Sequence, residues 1–456
     1  MNNCVEFLAM RALVIDAFGE KGREINFQIG VGPRLIATVI SESGVECDLA
    51  WFRMVQKKPR ILKDYDVILV SGFTTSKELI DSLCKIVEDV NPKAVKILGG
   101  PIAFDPYDYF LKSDFDIAVV GEGEKTVEEL LNSDFDLERL RDIRGIAFKE
   151  GNNIIFTSPR QPLEKKELDR IPDAEYVKAY PFYRFVRVSV ECVRGCSNFN
   201  RPRLELADGT ICIECGNCES EDSNKRIYCP EDIPPGCGYC CVPGIFGPSR
   251  SRDRAAIVEE IQNLIDVGVT KIALSAPDLL DYKREEMVPN GQLTDPFHPE
   301  PNYDEFESLL SSIAALDGVN ERVFISIDEL KPTLLNNRIL EIIAKYLPGS
   351  TIVLVCESGS KDQLKELGRP FPVEKNIEMT RKAGELGLVP MSFFINWLPN
   401  QTPERTDETL QIMAELEEAG CQRMLCYRLA ALPATAFYGM TIDENDRLNT
   451  AIFRKA

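Results

Sequence analysis

Three cysteines have the spacing to do redox chemistry. Cys196 closes the run ValSerValGluCysValArgGlyCys, and Cys237 and Cys240 lie further on in ProProGlyCysGlyTyrCysCys. One thiol followed by Cys-x-aromatic-Cys, the aromatic being Tyr239, presents three thiolates. Three thiolates can hold a [4Fe–4S] cluster and leave its fourth iron open. An open iron can bind a small molecule through amino and carboxylate groups. Cys229 is a rival for the first ligand.

Between these thiols, residues 197–236 form an insert with four more cysteines, Cys212, Cys215, Cys218 and Cys229. Two-residue gaps followed by a longer one suit a second metal site. Zinc fits a four-cysteine tetrahedron, and an auxiliary iron–sulfur cluster fits the same spacing. The insert has few large apolar side chains, so a metal staple would let it fold. It is acidic and nearly free of aromatics, which argues against a grip on nucleic acid.

Composition narrows the chemistry. The 456 residues imply two or three domains. Fifteen cysteines without a signal-peptide pattern argue for metal or redox use in a cytoplasmic, anaerobic setting rather than for disulfides. The net charge of −20 disfavours nucleic-acid partners. The single histidine, His298, excludes most histidine-based metal and acid–base schemes. No apolar run is long enough for a membrane span.

The elements that must position these residues read as two α/β series. In residues 1–150, apolar runs at Arg11–Asp16, Asp66–Ser71, Ala94–Gly99 and Asp116–Gly121 read as buried parallel strands. Helical patterns at Pro33–Ser43, Ser76–Val90 and Thr126–Asn132 alternate with them. This predicts a doubly wound sheet with its ligand at the carboxyl ends of the strands. Those ends carry Ser71, Gly72, Phe73 and Thr74, then Gly99, Gly100 and Pro101, then Gly121, Glu122, Gly123 and Glu124. Residues 151–184 read as a proline-rich linker. Residues 185–440 then show six strand patterns alternating with helices, which predicts a partial (β/α)6 barrel. Ser275, Asp278 and Asp281, then Ser326, then Glu357 and Ser358, fall at its strand ends, with Arg369 just beyond. Residues 283–302 are a second excursion and 441–456 a short tail.

The three cysteines, the GluSerGlySer run ending at Ser360 and Leu367-Gly368-Arg369 together resemble the radical S-adenosylmethionine (SAM) superfamily, specifically its cobalamin-dependent branch. The resemblance extends to the first domain, whose Gly99-Gly100-Pro101 and GlyGluGlyGlu segments are similar to a flavodoxin-like cobalamin-binding domain. Two motifs depart from the family: Phe-Ile-x-Gly-x-Pro appears with Asn396 and Trp397, and Pro-Gly-Thr appears with Ala434.

The resemblance implies that Cys196, Cys237 and Cys240 ligate the [4Fe–4S] cluster. Tyr239, Ser275, Asp278, Ser326, Glu357, Ser358 and Arg369 would line the SAM site. The strand-end residues of the first domain would hold cobalamin, with no histidine beneath the cobalt. The implied activity is C-methylation of an unactivated carbon using methylcobalamin, with one electron from a ferredoxin- or flavodoxin-type donor. A protein is the expected substrate, an archaeal post-translational modification such as Cα-methylation of a glutamine in methyl-coenzyme M reductase being one candidate. A radical cyclase or rearrangement enzyme, or a non-catalytic cobalamin or metal sensor, would use the same scaffold.

Overall fold

The apolar runs become the central strands of two sheets. The computed structural model describes residues 10–18, 28–104, 109–151, 153–369, 371–441, 452 and 455, so Cys4 and nearly all of the 441–456 tail lie outside the described residues. The chain divides into two units, Met1–Val188 with Asp266–Gly268, and Ser189–Ile265 with Val269–Ala456.

In the first unit, β1 (Arg11–Asp16), β2 (Glu46–Trp51), β3 (Val67–Ser71), β4 (Val95–Gly99), β5 (Ile117–Val119), β6 (Ile146–Glu150) and β7 (Asn153–Phe156) form one sheet in the order 2-1-3-4-5-6-7. The first five pair in parallel, and β6 and β7 add an antiparallel edge. Successive residues of a strand face opposite sides, and here both sides are dry. Leu13, Ile15, Ile68 and Val70 join one core with Ile80 and Leu83 of α2 (Lys77–Val90). Ala12, Val14, Val67 and Leu69 join the other with Val39 and Ile40 of α1 (Gly32–Glu42) and Leu130 of α3 (Glu124–Asn132). Each such side chain contributes about 1.5–3 kcal/mol on burial, which is why the parallel strands read as unbroken apolar runs. The order reverses between β1 and β3, and that switch point is where doubly wound sheets take ligands.

In the second unit, β8 (Arg187–Glu191), which begins just before the division, β9 (Lys271–Ser275), β10 (Phe324–Leu330), β11 (Thr351–Glu357), β12 (Val389–Asn396) and β13 (Arg423–Arg428) lie side by side in chain order. The pairs from β9 to β13 are all parallel, as a half-barrel requires. The crossovers are α4 (Arg254–Asp266), α5 (Tyr303–Ala314), α6 (Asn337–Tyr346), α7 (Val373–Glu385) and α8 (Pro403–Glu418). Local chemistry starts them: Asn336 accepts from the Ile339 N–H at 3.2 Å, and Thr402 from Arg405, with Pro403 at the first helical position. Among the described residues, no helix is long and apolar enough to cross a membrane.

Candidate active site

The half-barrel brings the first cysteine to the other two. After β8 the chain forms a short ribbon, Val193–Arg194 pairing antiparallel with Arg250–Ser251. Gly195 then turns with φ +84°, and a Cβ there would stand 2.3 Å from the Pro248 carbonyl oxygen, so only glycine fits. The turn is fixed by the Cys196 N–H donating to Gly247 at 3.1 Å. Asn198, fully buried, then touches two sulfurs: its N–H donates to Cys196 Sγ at 3.4 Å and its Nδ2 to Cys237 Sγ at 3.3 Å. Desolvation and the neighbouring thiols of Cys237, Cys241 and Cys196 push the Cys240 thiol well up. Cys196 rather than Cys229 is therefore the residue grouped with Cys237 and Cys240.

Cations stand against these sulfurs. Lys331 Nζ lies 3.2 Å from Cys196 Sγ, and Arg369 Nη1 lies 3.4 Å from Cys237 Sγ. Burial works against the Lys331 ammonium, but Cys196, Asp278 and Asp281 outweigh it and raise its pKa. Burial pushes the Cys196 thiol up while Lys331 pulls it down; iron would complete the deprotonation. Such a ring of donors and positive charge suits thiolates that hold an anionic cluster.

Glu357 and Arg369, both buried, form an ion pair. Burial raises the Glu357 pKa, with Arg369 and Tyr239 opposing. The pairing register slips between Val355 and Glu357, and Glu357 itself takes φ +67°. A left-handed non-glycine residue costs about 1–3 kcal/mol and clusters at functional sites. Here it turns the last carboxylate of β11 towards Arg369. Arg369 Nη2 and Ser197 Oγ are buried without a protein partner. Unfilled donors and thiols at one strand end fit a cluster and an amino-acid-like ligand, whose carboxylate a guanidinium recognises.

The other expected SAM-site residues divide. Asp278 is buried at the end of β9, its pKa raised by burial, and accepts from the backbone N–H groups of Leu280 and Lys331 at 3.1 and 3.3 Å. Ser326 donates to the Ile272 carbonyl at 3.3 Å, and Ser358 to Gln363 Oε1 at 2.7 Å. The Ser275 carbonyl accepts from the Cys192 N–H at 2.8 Å. Asp281 is a framework residue, ion-paired with Arg284 and holding the Ser197 N–H at 3.2 Å. Sequence reasoning missed Asn198, Lys331 and Glu329, whose carboxyl is pushed up to about 8 by desolvation. The available signal was position: Asn198 follows Cys196 by two residues, and Glu329 and Lys331 end β10.

In the first unit, the strand ends form the second site. Gly99 and Gly121 have open space where a Cβ would stand, so their backbone can lie against a flat ligand. Gly100, at φ +81°, fits against Gly72, where a Cβ would meet the carbonyl oxygen at 2.7 Å. Phe73 is 42% exposed and packs edge-on against Phe18 at 5.1 Å, offering an apolar rim. Thr74 Oγ1 is buried without a partner. Ser71 closes β3, and Pro101 opens the turn after β4. Glu122 accepts from the Leu163 N–H at 2.6 Å, tying the following segment back onto the sheet, while Gly123 and Glu124 open α3. The unit contains no histidine. Open backbone beside an apolar rim fits cobalamin held through its face and edges.

In the insert, Cys218 has Cys212, Cys215 and Cys229 as electrostatic neighbours. All four line a cavity of about 520 Å³ together with Arg201 and His298. Among the described residues, no three His, Cys, Asp or Glu side chains converge on a single-ion site.

Similarity agrees with this architecture. Residues 28–131 match the B12 binding domain, and residues 228–413 match the radical SAM superfamily. An uncharacterised protein of Methanocaldococcus jannaschii is 36% identical over 463 residues, spanning 98% of this chain and 86% of its own length. One from Methanopyrus kandleri is 34% identical over 437 residues, spanning 94% of this chain and 78% of its own. Among solved structures, the radical SAM methyltransferase TsrM of Kitasatospora setae, bound to tryptophan and a SAM analogue, aligns with TM-score 0.67 at 12% identity. That alignment covers 95% of this chain and 75% of TsrM. A doubly wound cobalamin-type sheet joined to a half-barrel with three clustered thiols defines a cobalamin-dependent radical enzyme. The chain belongs to the radical SAM superfamily, in the branch that carries a B12-binding domain. Its cofactors are a [4Fe–4S] cluster, S-adenosylmethionine and cobalamin.

Proposed function

We propose that the chain is a C-methyltransferase that uses methylcobalamin to methylate an unactivated carbon of a protein. The observation that supports this most is the Cys196, Cys237 and Cys240 group, with Lys331 and Arg369 against its sulfurs, in a chain that also has the open glycine edge of a cobalamin site. When bound, the cluster supplies one-electron reductive cleavage of SAM and cobalamin supplies a methyl group. The protein's part is binding, orientation and electrostatics. Cys196, Cys237 and Cys240 would hold the cluster and leave one iron for SAM, and Asn198 donates a hydrogen bond to each of two of those sulfurs. Arg369 has one donor group on Cys237, one on Glu357 and a third still unfilled, which suits the carboxylate of SAM. Glu357, half-neutralised by Arg369, can accept from an amino or hydroxyl group. Lys331 offsets thiolate charge at Cys196. The electron would come from a ferredoxin- or flavodoxin-type protein. Glutamine Cα in methyl-coenzyme M reductase is the specific target proposed, in keeping with the methanogen relatives.

The test is anaerobic turnover of reconstituted protein with cobalamin, trideuteromethyl-SAM and a peptide containing the unmethylated glutamine. The expected result is deuterated methyl on that peptide together with 5′-deoxyadenosine. 5′-Deoxyadenosine with an altered but unlabelled substrate would replace methyl transfer by rearrangement or ring formation. Absence of 5′-deoxyadenosine under any condition would leave only a sensor.

A further inference from the structure

The insert poses a separate question from methyl transfer, because its four cysteines play no part in the SAM site. Its own apolar surface does not hold it together: Ile211 is 53% exposed, Ile213 60% and Tyr228 63%. Leu204 and Ile233 anchor it in a core cluster of the half-barrel unit, and polar ties hold much of the rest. Buried Arg201 donates to the carbonyls of Ile233 and Ile227, each at 2.9 Å, and to that of Phe199. Arg226 reaches the carbonyl of Cys218 at 2.5 Å and Asp295 at 2.6 Å. Arg203 pairs with Glu214 at 2.7 Å and Glu219 at 2.9 Å. Three arginines thus fasten loops whose inner face is lined by thiols.

We propose that Cys212, Cys215, Cys218 and Cys229 ligate an auxiliary [4Fe–4S] cluster. Three observations favour a cluster over a zinc ion. The first is the spacing. Zinc ribbons present cysteines as two separated pairs, whereas Cys-x2-Cys-x2-Cys with a remote Cys-Pro is the ferredoxin arrangement, and Cys229 is followed by Pro230. The backbone matches: Glu214 at φ +50° and Gly216 at φ +80° place left-handed turns in the two short loops, so successive thiols can bend to one centre. The second is room. The four thiols share the wall of a cavity of about 520 Å³ with other residues, so space for a group larger than a single ion lies beside them. The third is an internal comparison. Cys196 and Cys237, with which Cys240 is proposed to hold the SAM cluster, are electrostatic neighbours of Cys240, and Cys212, Cys215 and Cys229 surround Cys218 in the same way. With four cysteine ligands this cluster has no open iron. It would serve folding or electron passage and would not bind substrate.

The experiment uses the full chain purified anaerobically, with and without Cys196→Ala/Cys237→Ala/Cys240→Ala. Iron, sulfide and zinc are measured beside Mössbauer spectra. The triple variant is expected to keep about four iron and four sulfide per chain, and the unaltered protein about eight of each. Cys215→Ser, a mild change at an exposed ligand, should alter the spectrum that survives in the triple variant. One zinc and no iron in the triple variant overturns the assignment. So does total iron of about four in the unaltered protein, a reading that stands even if the triple variant does not fold. Both results are independent of whether a methyl group is transferred.

Discussion

The framework role of Asp281 makes a quantitative prediction. Asp281 and Arg284 side chains are both 0% exposed, with Arg284 Nη1 at 2.5 Å from Asp281 Oδ1. The other carboxylate oxygen accepts from Ser249 Oγ at 2.7 Å and from the Ser197 N–H at 3.2 Å. Ser197 follows Cys196, so the carboxylate anchors the loop of the first cluster ligand. Asp281→Ala leaves the Arg284 charge buried with carbonyl partners only, at Pro299 and Asp295. Removing one member of a buried pair costs about 3–5 kcal/mol. Two orphaned donors add to this, about 1–3 kcal/mol each if they are not resolvated. Against a total stability of about 5–15 kcal/mol, the variant should unfold at clearly lower urea and bind iron poorly. Asp281→Leu with Arg284→Met removes both charges and should recover the about 3–5 kcal/mol of the broken pair, leaving only the cost of the two orphaned donors. Iron loading should not return with it, because the Ser197 N–H still has no acceptor. Urea unfolding and iron content of the two variants decide the matter. A cost under about 1 kcal/mol for Asp281→Ala, or a double variant as unstable as the single one, would refute the charge argument. Full iron loading in the double variant would refute the anchor.

Two further outcomes are expected. Ala434 takes φ +58°, which costs an alanine about 1–2 kcal/mol, partly offset by the greater unfolded-state entropy of glycine, about 0.5–1 kcal/mol; Ala434→Gly should therefore stabilise the chain by roughly 0.5–1 kcal/mol in denaturant, and a loss of stability would show that its methyl packing outweighs the strain. Asp16 is buried, and burial raises its pKa above the ordinary 3.8, while hydrogen bonds from the Tyr180 hydroxyl at 2.5 Å and the Phe18 N–H at 2.9 Å oppose the rise. Between 3.8 and the raised value the folded chain keeps a proton that the unfolded chain has released, so this group's contribution to stability falls as pH rises through that window. Asp16→Asn should flatten that slope in melting curves taken across it, and an unchanged slope would assign it elsewhere.

What could be read from the chain, and what could not, follows from burial. The central parallel strands were legible because both faces are dry, as at Val67–Ser71 and Lys271–Ser275. Glu46–Trp51 escaped notice because it is an edge strand with alternating exposure, and Asn153–Phe156, the outermost strand of the antiparallel edge, because its half-exposed residues read as linker; Ile146–Glu150 lay within the first domain but was not picked out as a strand. The grouping of Cys196 with Cys237 and Cys240 was legible from spacing. Lys331 was not, since a lysine in a string reads as solvated and only the fold buries it against Cys196.

The two departures from the family motifs sharpen this point. Trp397 and Ala434 stand where those motifs have glycine, and they take φ +62° and +58°. The backbone conformation has outlived the residue that makes it easy. A left-handed tryptophan is held there only because its surroundings over-determine it, and Arg428 lies over its ring at 5.4 Å. A glycine motif is therefore better read as a demand on φ than as a demand on residue type. Trp397, just past the carboxyl end of β12, meets that demand with a large side chain that packs against a buried cluster including Leu364 and Phe394. The two departures therefore keep the left-handed backbone of the motifs while changing what packs on it.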